Sequence, residues 1–118
     1  MSTMPDYTGW IVRAAAGRDK DGLFCVVGVD HAQKRLLLAD GKRRKCARPK
    51  AKNVNHVKLL ARPKKGGPRY VEPLTGEFDH PDIQKLKQGE ALSDKALRRA
   101  LAAFRDQLGG MTLWQKTT

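Results

Sequence analysis

The chain has 118 residues, with 24 Lys and Arg against 12 Asp and Glu, a formal net charge of +12, and two cysteines. This length suits one domain with a small core. Cys25 and Cys46 form no CxxC pair, which argues against a disulfide framework or a zinc ribbon, and the longest apolar run, Leu23 to Val29, is far short of the roughly 20 residues that cross a bilayer. The expectation is a soluble, reduced, cytoplasmic protein without a signal peptide, because Arg13 interrupts the only apolar stretch near the start and no basic segment precedes it.

In chain order, Trp10, Ile11 and Val12 favour a first strand over Gly9 to Val12, and "GRDKDG" from Gly17 gives a polar turn. "LFCVVGVD", Leu23 to Asp30, is apolar and valine-rich and suits a buried strand better than a helix. "DHAQK" is a second turn, and "RLLLA", Arg35 to Ala39, a third strand. Asp40-Gly41 is the dipeptide of a two-residue hairpin, so "KRRKCA" is expected to fold back as a fourth strand. Its alternation would put Lys42, Arg44 and Cys46 on one face and Arg43, Lys45 and Ala47 on the other. Pro49 would stop that strand and leave "KAK" as a basic loop. His56 to Leu60 reads as the last strand, with Val57 and Leu59 pointing one way and His56 and Lys58 the other. Five short strands in so few residues suggest a small antiparallel barrel over residues 7–62, since closure removes exposed edges.

Residues 63–92 are rich in Pro, Gly and charge and read as a linker with one short helix at Asp82 to Lys87. The clearest helix spans 93–109. Ser93 can cap it, Asp94 suits its N-terminal end, and Gly109-Gly110 can stop it. Leu97, Ala100, Leu101, Phe104 and Leu108 share one face, and Lys95, Arg98, Arg99, Arg105 and Asp106 the opposite one.

The excess charge is confined to one window. Residues 41–69 hold twelve Lys or Arg and no Asp or Glu, whereas residues 1–40 hold five against five and residues 70–118 seven against seven. Such a field attracts a polyanion, because each cation placed on a phosphate releases condensed counterions. A solvated basic linker, a localisation-type run and a patch for acidic lipid are the alternatives. No Phe, Tyr or Trp lies between Phe24 and Tyr70, so the window lacks rings for stacking single-stranded bases, and readout of a nucleic acid should rest on its backbone and shape. No nucleophile with a neighbouring base, HExxH motif or phosphate-cradling glycine loop is present, and His31, His56 and His80 fall in different contexts, so no catalytic residue, metal site or cofactor is assigned.

"GWIVRAAAGRDKDGLFCVVGVD" resembles the KOW motif, in which a hydrophobic strand leads through a glycine and a basic turn into a valine-rich strand. "LLLADGKRRKCARPKAKNVNHVKLL" resembles the remainder of the barrel in a KOW-type protein of the archaeal and eukaryotic large ribosomal subunit, with Asn53, His56 and Val57 in its closing "N-x-x-H" and aliphatic positions. The chain is most similar to short bacterial KOW-domain RNA-binding proteins related to that family. Ala16 to Lys20, Asp40 to Lys42, and Leu92, Ser93, Arg98, Ala100 and Leu101 match their motifs, and residues 66–91 are unmatched. One departure stands out: Asp21 takes the place of the usual glycine, and Gly22 follows it.

The resemblance implies an SH3-like barrel, followed by a linker and a C-terminal helix, that binds ribosomal RNA without catalysis. Large-subunit ribosomal proteins are further expected partners, and the chain is expected to be a monomer without membrane contact. The expected RNA-binding residues are Arg18 and Lys20 in the first turn, and Lys42, Arg43, Arg44, Lys45, Arg48, Lys50 and Lys52 in the window. Asn53 and His56 join them through the motif, His56 having a hydrogen-bonded structural role as its alternative. Lys64, Lys65 and Arg69 extend the basic patch. Cys25 and Cys46 read as core residues. A KOW module binding protein or duplex DNA in transcription is the rival, since fold alone does not choose a partner.

Overall fold

Leu23 to Asp30 is apolar at both alternating sets of positions, the pattern of a strand covered on both faces. A computed structural model describes residues 6–63 and 76–109 and shows what covers each face. Six strands, β1 (Ile11–Ala14), β2 (Leu23–Asp30), β3 (Arg35–Ala39), β4 (Lys50–Asn53), β5 (Val57–Pro63) and β6 (Gly76–Phe78), form one sheet. Their order is β4-β3-β2-β1-β5-β6. All neighbours are antiparallel except β5 and β6, which run parallel with Ala61 opposite Gly76.

One face carries Trp10, Val12, Ala14, Phe24, Val26, Leu36 and Leu38, packed against one another and against Tyr7, Val29, Val54, Val57 and Leu59. Among the described residues no helix packs against this face, and it is filled by the sheet's own side chains and their neighbours. The ladder shifts register between Ile11 and Val12 and between Val26 and Gly28. The other face presents Ile11, Cys25, Ala39, Ala61 and Phe78 to two helices, α1 (Pro81–Lys87) and α2 (Asp94–Gly109), which bury Ile83, Leu86, Leu97, Ala100, Leu101 and Phe104. Each large aliphatic side chain buried this way contributes about 1.5–3 kcal/mol. α1 is too short to persist alone. Pro81 starts it, His80 Nδ1 accepts the Asp82 N–H at 3.1 Å, and burial of Ile83 and Leu86 holds it in place. Ser93 caps α2 by accepting the Ala96 N–H on its hydroxyl, at 3.0 Å.

β2 and β3 have the bounds expected from sequence, both helices fall within one residue of theirs, and the alternation of β5 places Val57 and Leu59 on the core and Lys58 outside. Several expectations are corrected. β1 starts two residues later than expected, after Gly9, whose N–H donates to the Val26 carbonyl at 2.8 Å. The Asp40-Gly41 hairpin does not form, and Lys42 to Ala47 are loop rather than strand. The Asp40 carboxylate accepts the N–H groups of Lys42 and Arg44, each at 2.9 Å, and the Arg44 carbonyl accepts those of Asp40 and Gly41. These local bonds occupy the backbone that a ladder would need. Consequently "KAK", expected as a loop, is paired: Lys50, Ala51 and Lys52 stand opposite Leu38, Leu37 and Leu36. Finally, the expected linker contains β6, a strand added to the edge of β5. The hydrogen-bonded order ends at β4 and β6, so the ladder is open rather than closed into a ring. Among the described residues no helix is long and apolar enough to cross a membrane.

Candidate nucleic-acid interface

The antiparallel order carries the β1–β2 turn and the β3–β4 loop to the same end of the sheet, because Arg13 pairs with Leu23 and Cys25 with Ala39. There, the two basic segments are joined through one carboxylate. Asp19 Oδ2 accepts from Arg44 Nη2 at 2.8 Å, with the Asp19 side chain only 4% exposed. The Arg44 hydrogen bond holds this carboxyl below the usual carboxylate range, aided by the charges of Arg44, Lys52 and Arg43 and opposed by burial. Lys52 is buried, and its Nζ lies 3.0 Å from the point a Cβ on Gly17 would occupy, so β4 reaches over to the first turn. Gly17 has φ 82° and Asp21 φ 69°. Asp21 thus adopts the left-handed conformation that favours glycine, which Asp tolerates better than most residues.

The β3–β4 loop is pinned from the other side by α2. Asp94 Oδ1 accepts the Cys46 N–H at 2.7 Å, and Arg98 Nη1 donates to the Gly41 carbonyl at 2.6 Å. The Cys46 N–H lowers the Asp94 pKa, with Lys45 and Arg98 adding to the effect. Burial, reinforced by Asp94, pushes the Cys46 thiol up to about 11, and burial pushes Cys25 up as well. Both cysteines are therefore protonated and pack against the helix-facing core, Cys25 within it and Cys46 at its margin. An open apolar groove of about 420 Å³ runs beneath the loop between Leu37, Cys46, Pro49 and Leu92; its lining is unsuited to phosphate.

The expected site residues that the structure describes separate into three groups. Arg18, Lys20, Lys42, Arg43, Lys45, Arg48 and Lys50 are exposed at this end of the molecule or on the adjoining stretch into β4. Arg44 and Lys52 are engaged with Asp19 or with the turn that holds it, and so position the surface more than they cover it. Asn53 caps a 3-10 turn at Val54–His56 by accepting the Asn55 N–H at 2.8 Å, while the His56 carbonyl accepts the Ala15 N–H at 2.8 Å and leaves its imidazole exposed. Lys64, Lys65 and Arg69 lie outside the described residues. The sequence shows twelve cations without a carboxylate among them, but folding brings Asp19, Asp40 and Asp94 in from outside the window. The organising roles of Asp19, Asp94 and Arg98 were not apparent from sequence. An acidic residue inside a basic turn was the available signal for Asp19. Among the described residues no group of three or more His, Cys, Asp or Glu gathers to hold a metal ion.

The described residues form a mainly β fold, a six-stranded sheet with two covering helices and a cationic end. The chain matches no protein-family model and no curated protein.

Proposed function

We propose that the chain is a non-catalytic RNA-binding protein of KOW type, associated with the ribosome through large-subunit ribosomal RNA. The fold supports an SH3-like barrel in that reading: the strands are short, the ladder shifts register twice, and one face is filled by the sheet's own side chains. The observation that carries the function is the clamped Asp40–Cys46 loop. Its backbone is tied by Asp40, Asp94 and Arg98, and its Arg44 side chain by Asp19, while Lys42, Arg43 and Lys45 face solvent beside Arg18 and Lys20. Cations held on an ordered backbone lose little conformational entropy on meeting phosphate, which favours binding of a fixed phosphate arrangement over a loose polybasic attraction. The described aromatic rings give single-stranded bases no platform: Trp10, Phe24, Phe78 and Phe104 are buried, and Tyr7 stands edge-on to Trp10.

Sedimentation of cell extract tests this reading. The tagged chain should travel with large-subunit particles in moderate salt and leave them after RNase treatment. Retention on DNA after RNase, or on protein-only particles, would transfer the assignment to the transcription-type rival.

A further inference from the structure

We propose that the phosphate-binding surface continues from the Asp40–Cys46 loop onto the exposed face of α2, where Lys95, Arg98 and Arg105 extend it into one ridge for double-helical RNA. The inference rests on the RNA reading above and adds a helix to its footprint.

Loop and helix meet without a gap. Besides the Asp94–Cys46 and Arg98–Gly41 hydrogen bonds, a Cβ on Gly41 would fall 2.3 Å from the Asp94 carbonyl oxygen, so only glycine permits this approach. Lys95, Arg98, Ala102 and Arg105 follow at spacings of three or four, share one face and are all exposed. From Lys95 to Arg105 the helix advances about 15 Å. Arg99, one step around, is turned to Asp82 Oδ2 at 3.2 Å and is left out of the ridge. Of the carboxylates on this side, Asp94 is held by the Cys46 N–H between Lys45 and Arg98, and Asp106 is exposed next to Arg105, weakening the potential only at the far end.

The row therefore runs from Lys42, Arg43 and Lys45 through Arg98 and Lys95 to Arg105, with its backbone fixed by loop hydrogen bonds at one end and by a helix at the other. A fixed row of cations, with no stacking ring exposed beside it among the described residues, fits phosphates whose spacing is itself fixed, as along a duplex, better than a strand that must be straightened to match it.

Titration of a fluorescent 20-base-pair RNA duplex at several salt concentrations tests the ridge with the full chain. K95Q/R105Q keeps good helix formers at both positions, so its circular dichroism and melting should match the parent. Its binding should nevertheless weaken, and the slope of log K against log salt should become shallower by about 1 to 2, the share of two phosphate contacts. K85Q, on α1, should leave binding unchanged. If K95Q/R105Q keeps the parent's affinity and slope while K42Q/R43Q loses both, the ridge ends at the loop and the inference falls, with the RNA reading intact. A parent chain that prefers an unstructured strand over the duplex also overturns it, and a parent that binds no RNA removes both readings.

Discussion

Asp19 is the residue on which the two basic segments depend. Its carboxylate replaces solvent beside Arg44 and Lys52, and with a pKa below the ordinary 3.8 the folded chain binds fewer protons there than the unfolded chain. The stabilisation is therefore present above about pH 4 and is lost as pH falls through the folded value. Asp19→Asn should cost about 1–3 kcal/mol at pH 7, since it leaves a part-buried guanidinium without its anion. Urea unfolding should show that gap at pH 7 and a narrower one at pH 3; equal gaps at both would refute the linkage. Asp21 offers the opposite change. At φ 69°, Asp21→Gly should raise stability by up to about 1 kcal/mol, while Asp21→Val should lower it. The sequence drew attention to this position but left the turn's conformation open, because the resemblance placed a glycine where Asp21 stands; the backbone there is left-handed. Asp19 was not legible, since an acid in a turn reads equally well as a solvated cap until its partner, 25 residues away, is known.

At the scale of elements, β2, β3 and α2 were legible because each is an apolar pattern bounded by its own turn or cap residues. The β3–β4 connection was misread for a physical reason. Asp-Gly signals a hairpin only when the side chain leaves the backbone alone, and here Asp40 binds two N–H groups of the following residues. β4 was concealed because lysine charge hides its pairing and the burial of Lys52, and β6 because three residues beside Pro and Gly carry no period. Gly41 makes the loop-to-helix contact testable. Gly41→Ala meets both φ 77° and the Asp94 backbone and should lower stability by about 2 kcal/mol or more. Gly89→Ala, at φ 91° with nothing within 4 Å, meets the conformational penalty alone and should cost only about 1 kcal/mol. Thermal melting that gives the two variants equal losses would show that α2 does not press on the loop as described.

For the whole molecule, the formal +12 arises from one segment, and folding distributes that segment between structure and surface. Arg44 and Lys52 face an internal carboxylate, whereas Lys42, Arg43, Lys45, Arg48 and Lys50 join Arg18 and Lys20 toward solvent. The sequence indicated where the charge lay; which cations remain available depended on Asp19 and Asp94, contributed from either side of the window. The central claim is that these exposed cations bind the phosphates of folded RNA. Measuring affinity for ribosomal RNA fragments against salt tests it most directly. With about six phosphates contacted, the log-log slope should lie near −4 to −5, and K42Q/R43Q/K45Q should make it shallower by roughly 2 to 3. A slope near zero, or one the triple variant leaves unchanged, would contradict the account.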